Sequence, residues 1–229
     1  MRVSSPHSTR SAPLAALGLC AVGLLSACGT NYVGALPPVD AGPTPDAGEG
    51  VDGGVDPAAY PAGPYGAFVG DTLVNMTFNG YVNDSPEEGL VESGGYVEGF
   101  SFQDVRTLGH YKFMLINVAA EWCQGCRVEA QQIPGLYAAW ARRGGYVLSV
   151  LTETASSRPA AKRNLDAWVA TYPINYTMVH DSESLISRNL GYDTLPLNVI
   201  VDLETMEILY RVFGEDFAIF QTFEGLLPP

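Results

Sequence analysis

The sequence predicts an α/β domain from Tyr65 to Pro229, with a hairpin on its N-terminal side. Two patterns point to it. Apolar runs of strand length, such as Phe113 to Val118 and Tyr146 to Leu151, alternate with segments whose apolar residues recur at helical spacing. Upstream, Val74, Met76, Phe78 and Val82 alternate with Asn75, Thr77, Asn79 and Tyr81, the period of a half-buried edge or hairpin strand.

Residues 84 to 99 then read as a Gly-rich loop with a second hairpin strand around Tyr96. The run Phe113 to Val118 is apolar almost throughout, as a strand buried on both faces must be. Ile133, Leu136, Tyr137 and Trp140 define a helix that Gly144-Gly145 ends. Tyr146 to Leu151 is the next buried strand. A helix follows over Ala160 to Ala170, with Leu165 and Trp168 inward, and a short one over Ser182 to Leu190, closed by Gly191. Leu197 to Val201 and Ile208 to Val212 are strands joined by a turn near Glu204, and Phe217 to Leu226 is a closing helix.

The beginning of the chain has none of this periodicity. Arg2, His7 and Arg10 precede an apolar stretch, Ala12 to Leu25, in the layout of a secretory signal peptide and too short for a membrane span. Its end, Leu25-Ser26-Ala27-Cys28, resembles the lipobox of bacterial lipoproteins. That resemblance implies a signal peptide over 1–27, acylation of Cys28, and a lipid anchor on a bacterial membrane facing the periplasm. Gly29 in place of Asp favours the outer membrane. From there to residue 64 the chain is rich in Pro, Gly, Ala and Asp and cannot fill a core, so it reads as a disordered tether. Such a chain of roughly 35 residues has an r.m.s. span of about 30–35 Å.

There are 12 basic and 25 acidic residues, and loss of Arg2 and Arg10 with the leader takes the formal net charge from −13 to −15. Nucleic-acid binding is excluded as a function class, because phosphate backbones are bound by basic clusters. Of the four cysteines, Cys20 would leave with the leader and Cys28 would be blocked by lipid. Cys123 and Cys126 would then be the free thiols, three residues apart, in a compartment where disulfides persist.

A Cys-x-x-Cys at a strand-to-helix junction places the first sulfur at a helix N-terminus. Unpaired backbone N–H groups and the helix dipole stabilise a thiolate there, so Cys123 is the candidate nucleophile and Cys126, one turn in, the resolving thiol. The alternatives for the pair are a metal site or an idle structural pair. A zinc site would need about four ligands, and one such pair supplies half of them.

The segment Asn117-Val118-Ala119-Ala120-Glu121-Trp122-Cys123-Gln124-Gly125-Cys126-Arg127-Val128-Glu129 resembles the active-site segment of thioredoxin-fold proteins, particularly the membrane-anchored TlpA/ResA-like group. Leu190 to Asp202 is similar to that family's segment around its cis-proline. The resemblance implies a thioredoxin-like fold, a central mixed sheet flanked by helices with the hairpin as an N-terminal extension. It implies a thiol-disulfide oxidoreductase without metal or cofactor, in which Pro196 is cis and faces the cysteine pair. Leu195 would offer backbone groups to a bound peptide, and Trp122 would cover the rim. Thioredoxin itself has a buried carboxylate at the position of Asn117. The TlpA/ResA-like group commonly has Asn there and a Glu matching Glu129, which at i+3 from Cys126 could move the thiol's proton. Glu121 reads as rim surface.

Reduction of exported disulfide proteins, apocytochrome c among them, and a membrane electron-donor thiol oxidoreductase are the partners so implied. Three departures from the family pattern stand out: Gln124-Gly125 between the cysteines, Gln131 where a helix proline is usual, with Pro134 a turn later, and Glu204-Thr205-Met206 in place of an Asp-Gly turn. Copper handling, with His180 after a strand as a third ligand, is the alternative function, as is a non-catalytic binding lipoprotein. A peroxiredoxin-type site is disfavoured, because the Thr and Pro that precede its reactive Cys are absent before Cys123.

Overall fold

A computed structural model describes residues 59–83 and 95–229. The leader, Cys28, the tether up to residue 58 and the loop at 84–94 lie outside the described residues. The chain forms β1 (Thr77–Tyr81), β2 (Tyr96–Ser101), α1 (Phe102–Thr107), β3 (Phe113–Ala120), α2 (Gln124–Arg142) and β4 (Gly145–Glu153). It continues with α3 (Lys162–Thr171), β5 (Thr177–His180), α4 (Leu185–Asn189), β6 (Leu197–Asp202), β7 (Ile208–Phe213) and α5 (Ala218–Leu226).

The strands make one mixed seven-stranded sheet in the order β2-β1-β5-β4-β3-β6-β7. β3, β4 and β5 run parallel, while β6 lies antiparallel to β3. With a neighbour on both sides and helices packed on the sheet, β3 and β4 are buried along nearly their whole lengths, which is why both read as continuous apolar runs. The expected thioredoxin-like α/β architecture is present.

The hairpin is more deeply integrated than its alternating pattern indicates. β1 pairs with β2 on one side and with β5 on the other, so β2 is the edge. Gly80 permits this approach: a Cβ there would stand 2.4 Å from the Met178 carbonyl oxygen and from Val179 Cα. Residues 59–64, assigned to the tether from composition, contact the body. The Tyr60 hydroxyl donates to the Leu73 carbonyl at 2.7 Å, and Arg106 donates to that of Ala59 at 2.9 Å. Residues 70–73 then run beside the start of β7, with Gly70 N–H to Ile208 O at 2.9 Å and Leu73 N–H to Met206 O at 2.8 Å.

α1 is absent from the periodicity reading, since its six residues are too few to show a period. It opens where the Ser101 N–H donates to Asp104 Oδ2 at 2.7 Å. α2 runs through Pro134 without a break and buries Ile133, Tyr137 and Trp140, with Trp140 packed on Phe220 and Phe223 of α5. The Glu204-Thr205-Met206 turn places Met206 at φ +58°, the left-handed conformation that glycine usually supplies.

Gly80→Ala is expected to destabilise the protein by about 3 kcal/mol, the upper part of the overpacking range, because the clash is with backbone. Gly135→Ala, in open space within α2, should instead stabilise by up to about 1 kcal/mol. Urea unfolding of both variants checks the contrast.

Candidate redox site

β3 ends at Ala120, and the chain turns through Glu121 and Trp122 into α2. Cys123 is the N-cap of α2 and is joined to Cys126 in a disulfide. The Cys126 backbone N–H points at Cys123 Sγ at 3.1 Å, so a thiolate formed there on reduction meets a donor already in place. Cys126 is fully buried and Cys123 is 3% exposed, so the pair is all but closed to solvent.

The Leu195–Pro196 bond is cis. Pro196 lies against the cysteine loop: a Cβ on Gly125 would stand 3.1 Å from Pro196 Cδ, with Glu215 Cβ at 3.5 Å and its Oε2 at 3.6 Å. The unusual Gly125 therefore leaves room for Pro196, while Glu215, from the loop after β7 and not evident from the sequence, lies alongside at ordinary contact distance. The Leu195 side chain is buried, and its backbone joins the cis bond beside the pair.

Trp122 is 42% exposed at the rim. Its indole N–H donates to Glu153 Oε2 at 2.8 Å, while Glu153 Oε1 accepts from the Tyr192 hydroxyl at 2.8 Å. Glu121 is a structural staple rather than bare rim surface. Its oxygens accept from Asn164 Nδ2 and from the Ala155 N–H, both at 2.8 Å, tying the cysteine loop to the loop after β4 and to α3.

Glu129 is fully buried one turn beyond Cys126. Its Oε2 accepts from Asn117 Nδ2 at 2.6 Å and its Oε1 from Asn198 Nδ2 at 2.9 Å. Burial pushes its carboxyl up to about 7, against the lowering pull of the hydrogen bonds from Asn198 and Asn117, and the Glu215 carboxylate adds to the rise. The fully buried Tyr176 lies near enough to Glu129 to feel its charge. Asn198 and Ser149 escaped the sequence reading; their signal is a polar residue inside each of two apolar runs.

His180 ends β5 with Nε2 at 2.8 Å from the Tyr96 hydroxyl, and burial pushes its pKa down. It is engaged by the hairpin rather than gathered with the cysteines. Among the described residues no group of three His, Cys, Asp or Glu is placed to hold a metal ion, and no helix is long and apolar enough to cross a membrane.

A helix-capping dithiol pair facing a cis-proline on a sheet of this topology is the redox centre of a thioredoxin-like oxidoreductase. The chain belongs to the AhpC/TSA family, whose model matches residues 91–208. Among solved structures it is similar to a DsbE-type thiol:disulfide interchange protein from Chlorobium tepidum, at 18% identity and a TM-score of 0.51 over 69% of this chain and 94% of that one. It is also similar to a Plasmodium vivax 2-Cys peroxiredoxin, at 14% identity and 0.51 over 69% and 95%. A thiol:disulfide interchange protein from Bacteroides sp. aligns at 15% identity and 0.50 over 70% and 90%. These likenesses establish the fold. No curated protein matches the chain.

The Glu129 titration bears on stability, with a definite sign. A carboxyl raised from 4.5 to about 7 on folding is most favourable below pH 4.5, where both states hold the proton, and that advantage is lost as pH rises to 7. The loss is about 3 kcal/mol. Glu129→Gln, which stays neutral, should therefore gain about 3 kcal/mol relative to the parent between pH 4 and pH 8, read by urea unfolding of the oxidised proteins.

Proposed function

We propose that this protein is a TlpA/ResA-like thiol-disulfide oxidoreductase that reduces disulfides of exported proteins while held by acylated Cys28 to a bacterial membrane, facing the periplasm. The observation that carries the reading is the Cys123–Cys126 disulfide capping α2 beside cis-Pro196, with a buried carboxyl on the same helix. The lipobox-like Leu25 to Cys28 supports the location, and the outer membrane is favoured by Gly29.

In the reduced protein the Cys123 thiolate attacks one sulfur of a client disulfide. The client S–S bond breaks, a client thiolate leaves, and a mixed disulfide forms through Cys123. Cys126 then gives its proton to the Glu129 carboxylate and attacks Cys123 Sγ, expelling the second client thiolate. The client has gained two electrons and the protein is left as the disulfide. A membrane thiol oxidoreductase returns the two electrons by the same exchange in reverse. Apocytochrome c and other exported thiol proteins are the clients proposed. The exposed Trp122 and the Leu195 backbone frame the approach of a client segment.

Cys123→Ser should abolish insulin-disulfide reduction, and Cys126→Ser should accumulate mixed disulfides through Cys123 that mass spectrometry identifies. Failure of both cysteines to cycle under alkylation at graded redox potentials would sink the oxidoreductase reading. Glu129→Gln should slow resolution by on the order of 100-fold and remove the step near pH 7 from the rate profile, measured by stopped-flow reduction of a peptide disulfide.

A further inference from the structure

Asn117, Ser149 and Asn198 stand in one row across three adjoining strands. Asn117 of β3 is in register with Ser149 of β4 on one side and with Asn198 of β6 on the other. All three are at least 98% buried, and the row meets the fully buried Glu129 of α2. Polar groups so placed are costly unless each finds a partner, and here the partners close on one another.

Ser149 Oγ donates to Asn117 Oδ1 at 3.0 Å, which orients that amide. Asn117 Nδ2 therefore faces Glu129 Oε2 at 2.6 Å and Asn198 Oδ1 at 2.9 Å. Accepting that bond orients the Asn198 amide in turn, so its Nδ2 faces Glu129 Oε1 at 2.9 Å. Both carboxyl oxygens thus look at a donor, an arrangement that favours the ionised form.

We propose that Asn198 is a positioning residue of the redox centre: with Asn117 it clamps both oxygens of Glu129 and so sets the pH at which that carboxyl exchanges a proton with Cys126. The inference rests on the reading of Glu129 as proton carrier. The titratable groups around Glu129 are Cys126, three residues back on its own helix, Tyr176 leading into β5, and Glu215 from the loop after β7. None of these brings a positive charge, so the two amides oppose the effect of burial. An amide pair serving only to hold β3 to β6 would have no reason to aim both donors at the titrating group.

The test is the titration of the Glu129 carboxyl in the oxidised full chain, followed by carbon-13 NMR of labelled glutamate and assigned by the signal lost in Glu129→Gln. Asn198→Leu, close in volume but without a donor, should raise the midpoint by about one to two pH units, the worth of one hydrogen bond to a charged group. Asn198→Ser, which retains a hydroxyl and relieves any packing strain, should give a smaller rise. Unchanged midpoints in both variants would overturn the proposal. A raised midpoint together with a pH–rate profile that Glu129→Gln leaves intact would uphold the positioning by Asn198 and discard Glu129 as carrier, so the two failures are distinguishable.

Discussion

A carboxyl group buried on the helix that the disulfide caps organises the polar interior of this site. Glu129 is closed off from solvent on the helix that carries Cys126, where its charge is disfavoured by burial and supported by two amide donors. The balance leaves the carboxyl pushed up to about 7. Neither influence alone would do this. Burial without donors would keep the group protonated, and donors without burial would leave an ordinary surface carboxylate.

The sheet supplies the geometry on which that balance depends. Because β6 runs antiparallel to β3, the end of β3 lies beside the beginning of β6, with Val118 opposite Leu197. The cysteine loop leaves β3 at that end and the cis-proline loop enters β6 there, so segments some seventy residues apart share one rim. One step further in, the same pairing sets Asn117 opposite Asn198. A single register therefore assembles both the rim that carries the disulfide and the buried polar layer around Glu129.

The rim is held by carboxylates used as struts. Glu153 joins Trp122 to Tyr192, and Glu121 joins the cysteine loop to the loop after β4 and to α3. Glu215 lies alongside Gly125 at ordinary contact distance. Part of the chain's acidity thus serves local architecture at the site.

The sequence by itself determined the α/β succession, the buried strands and the cysteine pair, because these depend on local period and on spacing within one helical turn. It also pointed to Glu129, since i+3 on a helix is a local relation. Tertiary structure alone decided that β1 would lie inside the sheet, that residues 59–64 would rest on the body, that Glu121 would act as a staple, and that Asn198, Ser149 and Glu215 would surround the site. The reason is physical. Each of those placements is a pairing across tens of residues, fixed by strand register and burial, and a lone Asn or Ser within an apolar run gives no sign of which partner it will meet.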